Sequence, residues 1–288
     1  MMTKHKKLSR RDFLVKTALF TAGSLVGTNR LWEPLAQALP NGSEQKVPDL
    51  RTENPRIAII IDDVGYSISR VMPFFELGVP VTFSILPQVL FSCRLAEKIH
   101  SEGHEIMLHQ PMEPYNAMID PGPGALYLYQ TSEEVLQTIE ENISSFPFAI
   151  GVNNHMGSHF TESKKKTEQA LKVFREKNLF FIDSFTTSDS IAYATAMELE
   201  MTAAFRNVFL DNRPDKSYIC SQFIKLRDRA LRVGHAIGIG HPRPETVSVL
   251  KEFLDDLKGT GISVTYASEI ASAYPSTLST ISGPASSG

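Results

Sequence analysis

From residue 56 onward the chain alternates, almost without interruption, between short apolar runs and longer amphipathic stretches, with Gly, Pro or Asn between them. Eight runs are rich in β-branched and aromatic residues: 56–61, 79–86, 104–109, 148–153, 179–183, 203–210, 235–240 and 262–266. Their brevity and composition read as strands. The stretches 67–77, 91–102, 132–146, 162–177, 190–201, 216–233 and 244–258 carry helical periodicity. Thr131 or Ser132 with Glu134 close behind opens one helix, Thr161 opens another, and Gly103, Gly234 and Gly259 stand where helices stop. Repeated strand–helix crossovers predict a parallel sheet with helices outside it. The candidates are an open doubly wound sheet and a closed barrel of seven or eight strands. The turn after the first strand reads Ile61-Asp62-Asp63-Val64-Gly65, not Gly-x-Gly-x-x-Gly, which argues against a dinucleotide site. One uninterrupted run of this length favours a (β/α) barrel with outer helices over the open sheet. The longest loop, 110–130, follows the third strand and should overhang the carboxyl edge of the sheet.

Charge and cysteine content narrow the setting. The formal net charge is −3, from 29 basic and 32 acidic residues, which suggests no nucleic-acid surface. The body holds no apolar run of about 18 residues, so it is not a multi-spanning membrane protein. The first 38 residues carry seven basic side chains against Asp12 and Glu33, a net +5. Ser9-Arg10-Arg11-Asp12-Phe13-Leu14 resembles a twin-arginine export signal. A modestly apolar middle and Ala36-Gln37-Ala38 follow it, completing the layout of a secretory leader. The expectation is a signal peptide over 1–38, a linker over 39–55, a barrel over 56–272 and a disordered tail over 273–288, with the mature protein periplasmic or secreted and without a stable membrane span. Export permits a disulfide between Cys93 and Cys220, and two buried unpaired thiols are the alternative.

The predicted strands end in polar residues at one kind of position. Asp62-Asp63 closes the first, His109 the third with Glu113 four residues on, and Asn153-Asn154-His155-Met156-Gly157-Ser158-His159 the fourth. Asp183-Ser184 closes the fifth, Asp211-Asn212 the sixth, and His241-Pro242-Arg243-Pro244 the seventh. Parallel α/β folds place chemistry at the carboxyl ends of strands, so these residues should converge. A carboxylate plus imidazoles, without thiolates, suits a divalent metal, zinc foremost, with a coordination position left for water. Such a metal acidifies its water, and hydrolysis then needs a base and an acid beside it. A serine nucleophile is the rival, but no Gly-x-Ser-x-Gly elbow occurs.

Across about 56–270 these motifs resemble the divergent polysaccharide deacetylase family, an offshoot of the NodB-type polysaccharide deacetylases. The residues that carry the resemblance are Ile60-Ile61-Asp62-Asp63-Val64-Gly65, Gly103-His104-Glu105-Ile106-Met107-Leu108-His109, Gly151 to Ser158, Phe209-Leu210-Asp211-Asn212, and Ile239-Gly240-His241-Pro242-Arg243-Pro244-Glu245-Thr246. The resemblance implies a distorted (β/α) barrel, a bound divalent metal and hydrolysis of a carbohydrate amide. It implies Asp62 as base, Asp63 as metal ligand, His109 as the first histidine of a ligand pair, Asp183 as the fifth strand's acid, and His241 as general acid. Glu113 stands where the second ligand histidine belongs, and no arginine stands in the Asn153–Gly157 motif to orient the base.

His155 then becomes the third expected ligand beside Asp63 and His109. Glu113, Asn154, His159 and Asp211 are further candidates for ligation or substrate binding. The leading expectation is an exported, metal-dependent hydrolase removing N-acetyl, or related amide or ester acyl, groups from a carbohydrate such as a cell-wall glycan. In it Asp183 orients His241, and Tyr115, Tyr127 and Tyr129 of the long loop either stack on saccharide or simply pack. The alternatives are an idle barrel that binds glycan or protein, and a metal-dependent phosphoesterase.

Overall fold

The computed structural model of the protein describes residues 54–273. The expected signal, most of the linker and the tail beyond 273 lie outside the described residues. Within them, nine strands and eight α-helices follow one another. The strands are β1 (Arg56–Val64), β2 (Thr82–Ile85), β3 (Glu105–Met112), β4 (Gly151–Met156), β5 (Phe180–Asp183), β6 (Ala203–Phe205), β7 (Val208–Phe209), β8 (His235–Gly240) and β9 (Ser263–Thr265). The helices are α1 (Ile68–Phe75), α2 (Ser92–Ser101), α3 (Ser132–Ser144), α4 (Lys164–Glu176), α5 (Ala192–Glu198), α6 (Lys216–Val233), α7 (Pro244–Asp256) and α8 (Ala267–Ala273). The Thr131 start is a full capping box: its side chain accepts from Glu134 N–H, and the Glu134 carboxylate accepts from Thr131 N–H. The next helix starts at Ser163 rather than Thr161, because a single 3₁₀ turn at Phe160–Glu162 occupies the expected start. No described helix is long and apolar enough to cross a membrane.

Every strand pair is parallel, in the order β6-β5-β4-β3-β2-β1-β8-β7. β9 adds to the amino half of β1, at Arg56 to Ala58, where β2 does not reach. The ends of this order are consecutive in the chain, so the sheet curls into a barrel with one seam. The sequence reads 203–210 as one strand, but the structure splits it at that seam. Ala203–Phe205 pairs with β5, and Val208–Phe209 pairs with β8. Between them Arg206 N–H bonds Asp183 O on one side, while Asn207 exchanges bonds with Ile237 through its backbone N–H and its Oδ1 on the other. A single segment thus changes partner midway.

Buried apolar residues form two layers. Ile57, Ile59, Ile61, Phe83, Leu108 and Phe181 lie between the strands and the outer helices. Ala58, Ile60, Met107, Ile182, Ile237 and Ile239 fill the barrel interior. Because both faces are covered, the strands read as continuous apolar runs rather than alternating ones. The amino end of the barrel is plugged by α8, whose Ala267, Ile270 and Ala271 join the inner cluster. This helix was not expected from sequence, being seven residues of mostly Ala and Ser. Its first N–H groups find Thr82 Oγ1 and Glu105 Oε1, which bond to each other at 2.8 Å. Cys93 and Cys220 are unpaired and exposed, so neither the bridge nor the buried-thiol expectation describes them.

Candidate functional site

Above the apolar interior, the next inward position on each strand is polar. Ile60 is followed two residues on by Asp62, Met107 by His109, Ile182 by Ser184 and Ile239 by His241. The period-2 pleat therefore stacks a polar layer on an apolar one at the carboxyl rim. Asp63 would face outward by the same rule, but its φ is +57° and the β1–β2 register breaks between Ile61 and Val64. This left-handed kink, costly for a residue with a Cβ, brings the second carboxylate to the same rim.

Three donor atoms meet there. Asp63 Oδ1 lies 3.0 Å from His155 Nδ1 and 3.2 Å from His109 Nε2, and the two ring nitrogens are 3.2 Å apart. These are the described side chains whose spacing could hold a metal ion. The centre of such a triangle is about 1.8 Å from each corner, so one ion can reach all three at the roughly 2.0–2.2 Å of zinc–nitrogen and zinc–oxygen bonds. Two imidazoles, one carboxylate and open positions fit a divalent metal by donor chemistry as well. Gly157, at φ +84° just past β4, helps place His155; a Cβ there would come within 2.9 Å of Met112 Cβ.

Asn153 wires this cluster, and sequence reasoning missed its role. It is fully buried and directly opposite His109 in register. Its Nδ2 donates to Asp62 Oδ1 at 2.9 Å and to Ser184 Oγ at 3.1 Å. Its Oδ1 therefore accepts, from Ser84 Oγ–H and from His109 Nδ1–H at 2.8 Å. With the proton on Nδ1, His109 presents a free Nε2 lone pair to the metal position. The available signal was parity, since Asn153 occupies the inward position above Gly151, beside His109.

Burial acts first on every charge here. It pushes the Asp62 carboxyl above its usual range, against the pull of His109 and His241. Burial works the same way on Asp63, but the imidazoles of His109 and His155 beside it prevail and hold its carboxyl far below that range. Burial would depress His109, yet Asp62 and Asp63 raise it.

The partner of His241 differs from expectation. Asp183 was expected to orient it, but residue 182 faces inward and residue 183 outward. Asp183 instead accepts from Phe185 N–H, Ser190 Oγ–H and Tyr193 N–H, pinning the turn into α5. The carboxylate on His241 is Asp211, fully buried, with Oδ1 2.7 Å from His241 Nδ1. Asp211 Oδ2 accepts from His241 N–H at 2.8 Å and from Thr246 Oγ–H at 2.6 Å. Burial opposes charge on both partners, but their mutual bond raises the histidine and lowers the acid. His241 Nε2 is left facing Asp63 Oδ2 at 3.6 Å. Asp211 therefore orients the imidazole, and Asp63, His109 and His155 form the cluster whose spacing could hold a metal ion.

Of the remaining candidates, Asn154 lines a cleft with Asp62, Asp63 and His109, whereas Glu113 and His159 stand apart from the cluster. Glu113 and His159 pair with each other, Oε1 to Nδ1 at 3.0 Å, and Glu113 Oε2 also accepts from Leu128 N–H. They brace the long loop and take no place in the cluster. Asn154 clips β4 to β5, donating to Met156 O and accepting from Ser184 N–H. Of the loop tyrosines, Tyr127 and Tyr129 stack on one another and Tyr115 stacks on His159. The loop reaches the clefts at the site through Pro114, Ile119 and 120–122 instead.

The motif positions agree with a known family. Residues 59–271 match the model of the divergent polysaccharide deacetylases. The chain belongs to that family. The chain is 32% identical over 202 residues to the uncharacterized protein YibQ of Escherichia coli K12, an alignment covering 70% of this chain and 63% of that protein. It is 33% identical over 202 residues to an uncharacterized protein of Haemophilus influenzae, covering 70% and 72%. The alignment thus spans somewhat under two thirds of the Escherichia coli relative. The crystal structure of an uncharacterized protein from Agrobacterium tumefaciens C58 superposes with a TM-score of 0.72 at 22% identity, covering 82% of this chain and 94% of that one. That likeness supports the barrel.

Proposed function

We propose that this family member is a metal-dependent carbohydrate deacetylase that hydrolyses an N-acyl amide, with zinc on Asp63, His109 and His155. The observation that carries the reading is the convergence of three ligand atoms within 3.2 Å of one another, flanked by one buried acid and one oriented imidazole. A bound divalent ion would acidify water and polarise the acyl oxygen. The protein's own residues divide the proton work. Asp62, with Oδ2 3.6 Å from His109 Nε2, takes a proton from water at the site. His241 holds its proton on Nε2 and gives it to the departing amine, while Asp211 keeps Nδ1–H in place and favours the charged imidazole. Asn153 keeps Asp62 and His109 in register with each other.

One observation favours the second reading, an idle barrel that binds glycan: among the described residues the direct partners of Asp62 are Asn153 and His109, and Arg206 acts on it only through space, without a hydrogen bond or ion pair to keep it ionised. Elemental analysis and acetate release decide between them. The purified protein should carry about one divalent ion per chain, lost in Asp63→Ala and His109→Ala. Acetate release from N-acetylated glycans should require Asp62 and His241. Metal without acetate release would leave the idle barrel, and release of phosphate from phosphoesters instead would replace both readings. We further propose export by the Arg10-Arg11 leader, which periplasmic fractionation of an Arg10→Lys, Arg11→Lys variant tests; wild-type amounts of the variant outside the cytoplasm would refute it.

A further inference from the structure

The metal cluster lies where two clefts meet, and Asp63, His155, Met156 and His241 line both. The two arms differ in chemistry. One is walled by Pro114, Ile119 and Phe209, apolar surface suited to a sugar face. The other, about 700 Å³, runs between the start of α1 and the start of α7 and carries Tyr66, Arg70 and Arg243.

These arginines are short of protein partners. Arg243 is half-buried, and the side-chain bond it makes is Nη1–H to Asp211 O at 2.5 Å. That bond fixes the guanidinium yet uses one of its five N–H donors. Arg70 makes no hydrogen bond or ion pair among the described residues. The carboxylates lining this arm are Asp63, engaged with His109 and His155, and Asp120, whose Oδ1 accepts from Gly122 N–H. Two guanidinium groups therefore line a cleft that opens onto the metal cluster, with an exposed tyrosine ring beside them. A guanidinium fork matches a carboxylate or phosphate bidentately.

We propose that this arm is an anion subsite, and that the substrate is an acidic saccharide whose carboxylate or phosphate is gripped by Arg70 and Arg243 while its N-acyl group lies at the metal cluster. The inference rests on the deacetylase reading for the acyl group, but its anion contact is tested by binding alone. Three probes that share one ring separate the possibilities: N-acetylglucosamine, its 3-O-carboxyethyl ether N-acetylmuramic acid, and its 6-phosphate. Dissociation constants are measured by ligand-observed NMR on the full chain loaded with zinc. At least one anionic sugar should bind roughly tenfold or more tighter than the neutral one, the value of a charge-assisted hydrogen bond. Arg70→Gln and Arg243→Gln should each reduce that preference roughly tenfold. Arg243→Lys, which keeps the charge and loses the fork, should recover part of it. Preference for the carboxylate or for the phosphate identifies the substituent, and either result supports the subsite. Equal binding of all three sugars overturns it, as does a preference that survives both glutamine variants with melting temperatures unchanged. The two readings fail separately. Anion-dependent binding without acetate release removes the enzyme and keeps the subsite, whereas equal acetate release from neutral and acidic sugars with equal affinities does the reverse.

Discussion

Replacing Asn153 by Ala tests whether one amide holds the proposed metal ligand His109 and the proposed base Asp62 together. The side chain is fully buried and meets four partners: Ser84, His109, Asp62 and Ser184. Truncation strips this partner from all four, and the pair at the site, His109 Nδ1–H and Asp62 Oδ1, loses it at 2% and 3% exposure. A buried polar group stripped of its partner costs about 1–3 kcal/mol, so the pair together implies roughly 2–6 kcal/mol of lost stability. The released imidazole can also rotate or take its proton on Nε2, which closes the lone pair the metal needs. Loss of such an outer partner weakens metal binding by about 10–100-fold. The assay is competition for zinc against a chromophoric chelator, at pH 7, beside thermal melts with and without metal. Ser184→Ala is the control, because Ser184 touches the same amide at 3.1 Å but not His109; its zinc affinity should stay near the wild-type value. A folded Asn153→Ala protein that binds zinc as tightly as the wild type would refute the reasoning. The imidazole would then be held by something other than this amide.

Two further outcomes follow from the same geometry. Chelation should lower the melting temperature: at free metal 100 times Kd, binding contributes about 2.7 kcal/mol, worth roughly 5–11 °C for a domain of this size. Asp63→Ala should melt at one temperature with and without zinc. In chelated protein, the stability gap between wild type and Asp211→Asn should depend on pH. The Asp211 carboxyl is lowered by folding, so its contribution is present above its unfolded value of 3.8 and is lost as pH falls through the folded value. The His241 imidazole is raised, so its contribution is full below 6.5 and is lost as pH rises through the folded value. The gap should therefore be widest between about pH 4 and 6.5 and narrow on both sides. A gap that stays constant from pH 4 to pH 9 would show that the pair is not ionic.

Local sequence was sufficient for the repeating unit and for the height of the site. Apolar runs with buried faces on both sides can only be inner parallel strands, and the residues that end them, Asp62, His109, His155 and His241, must then share one rim. Chain closure decided the partners. Asp183 and Asp211 look alike as text, each ending a strand. However, β7 pairs with β8, so Asp211 arrives beside His241, while Asp183 ends β5 on the opposite side of the seam and points outward by the parity of its strand. The inward turn of Asp63 depends on a register break between β1 and β2, which no periodicity in β1 reveals. Asn153 looked like one polar residue among several until folding set it beside His109 and within reach of Asp62. Alternation along a strand is a local steric property and can be read from the chain. Which strand becomes the neighbour is settled by packing the whole barrel, and hydrogen-bond partners across strands follow from that alone.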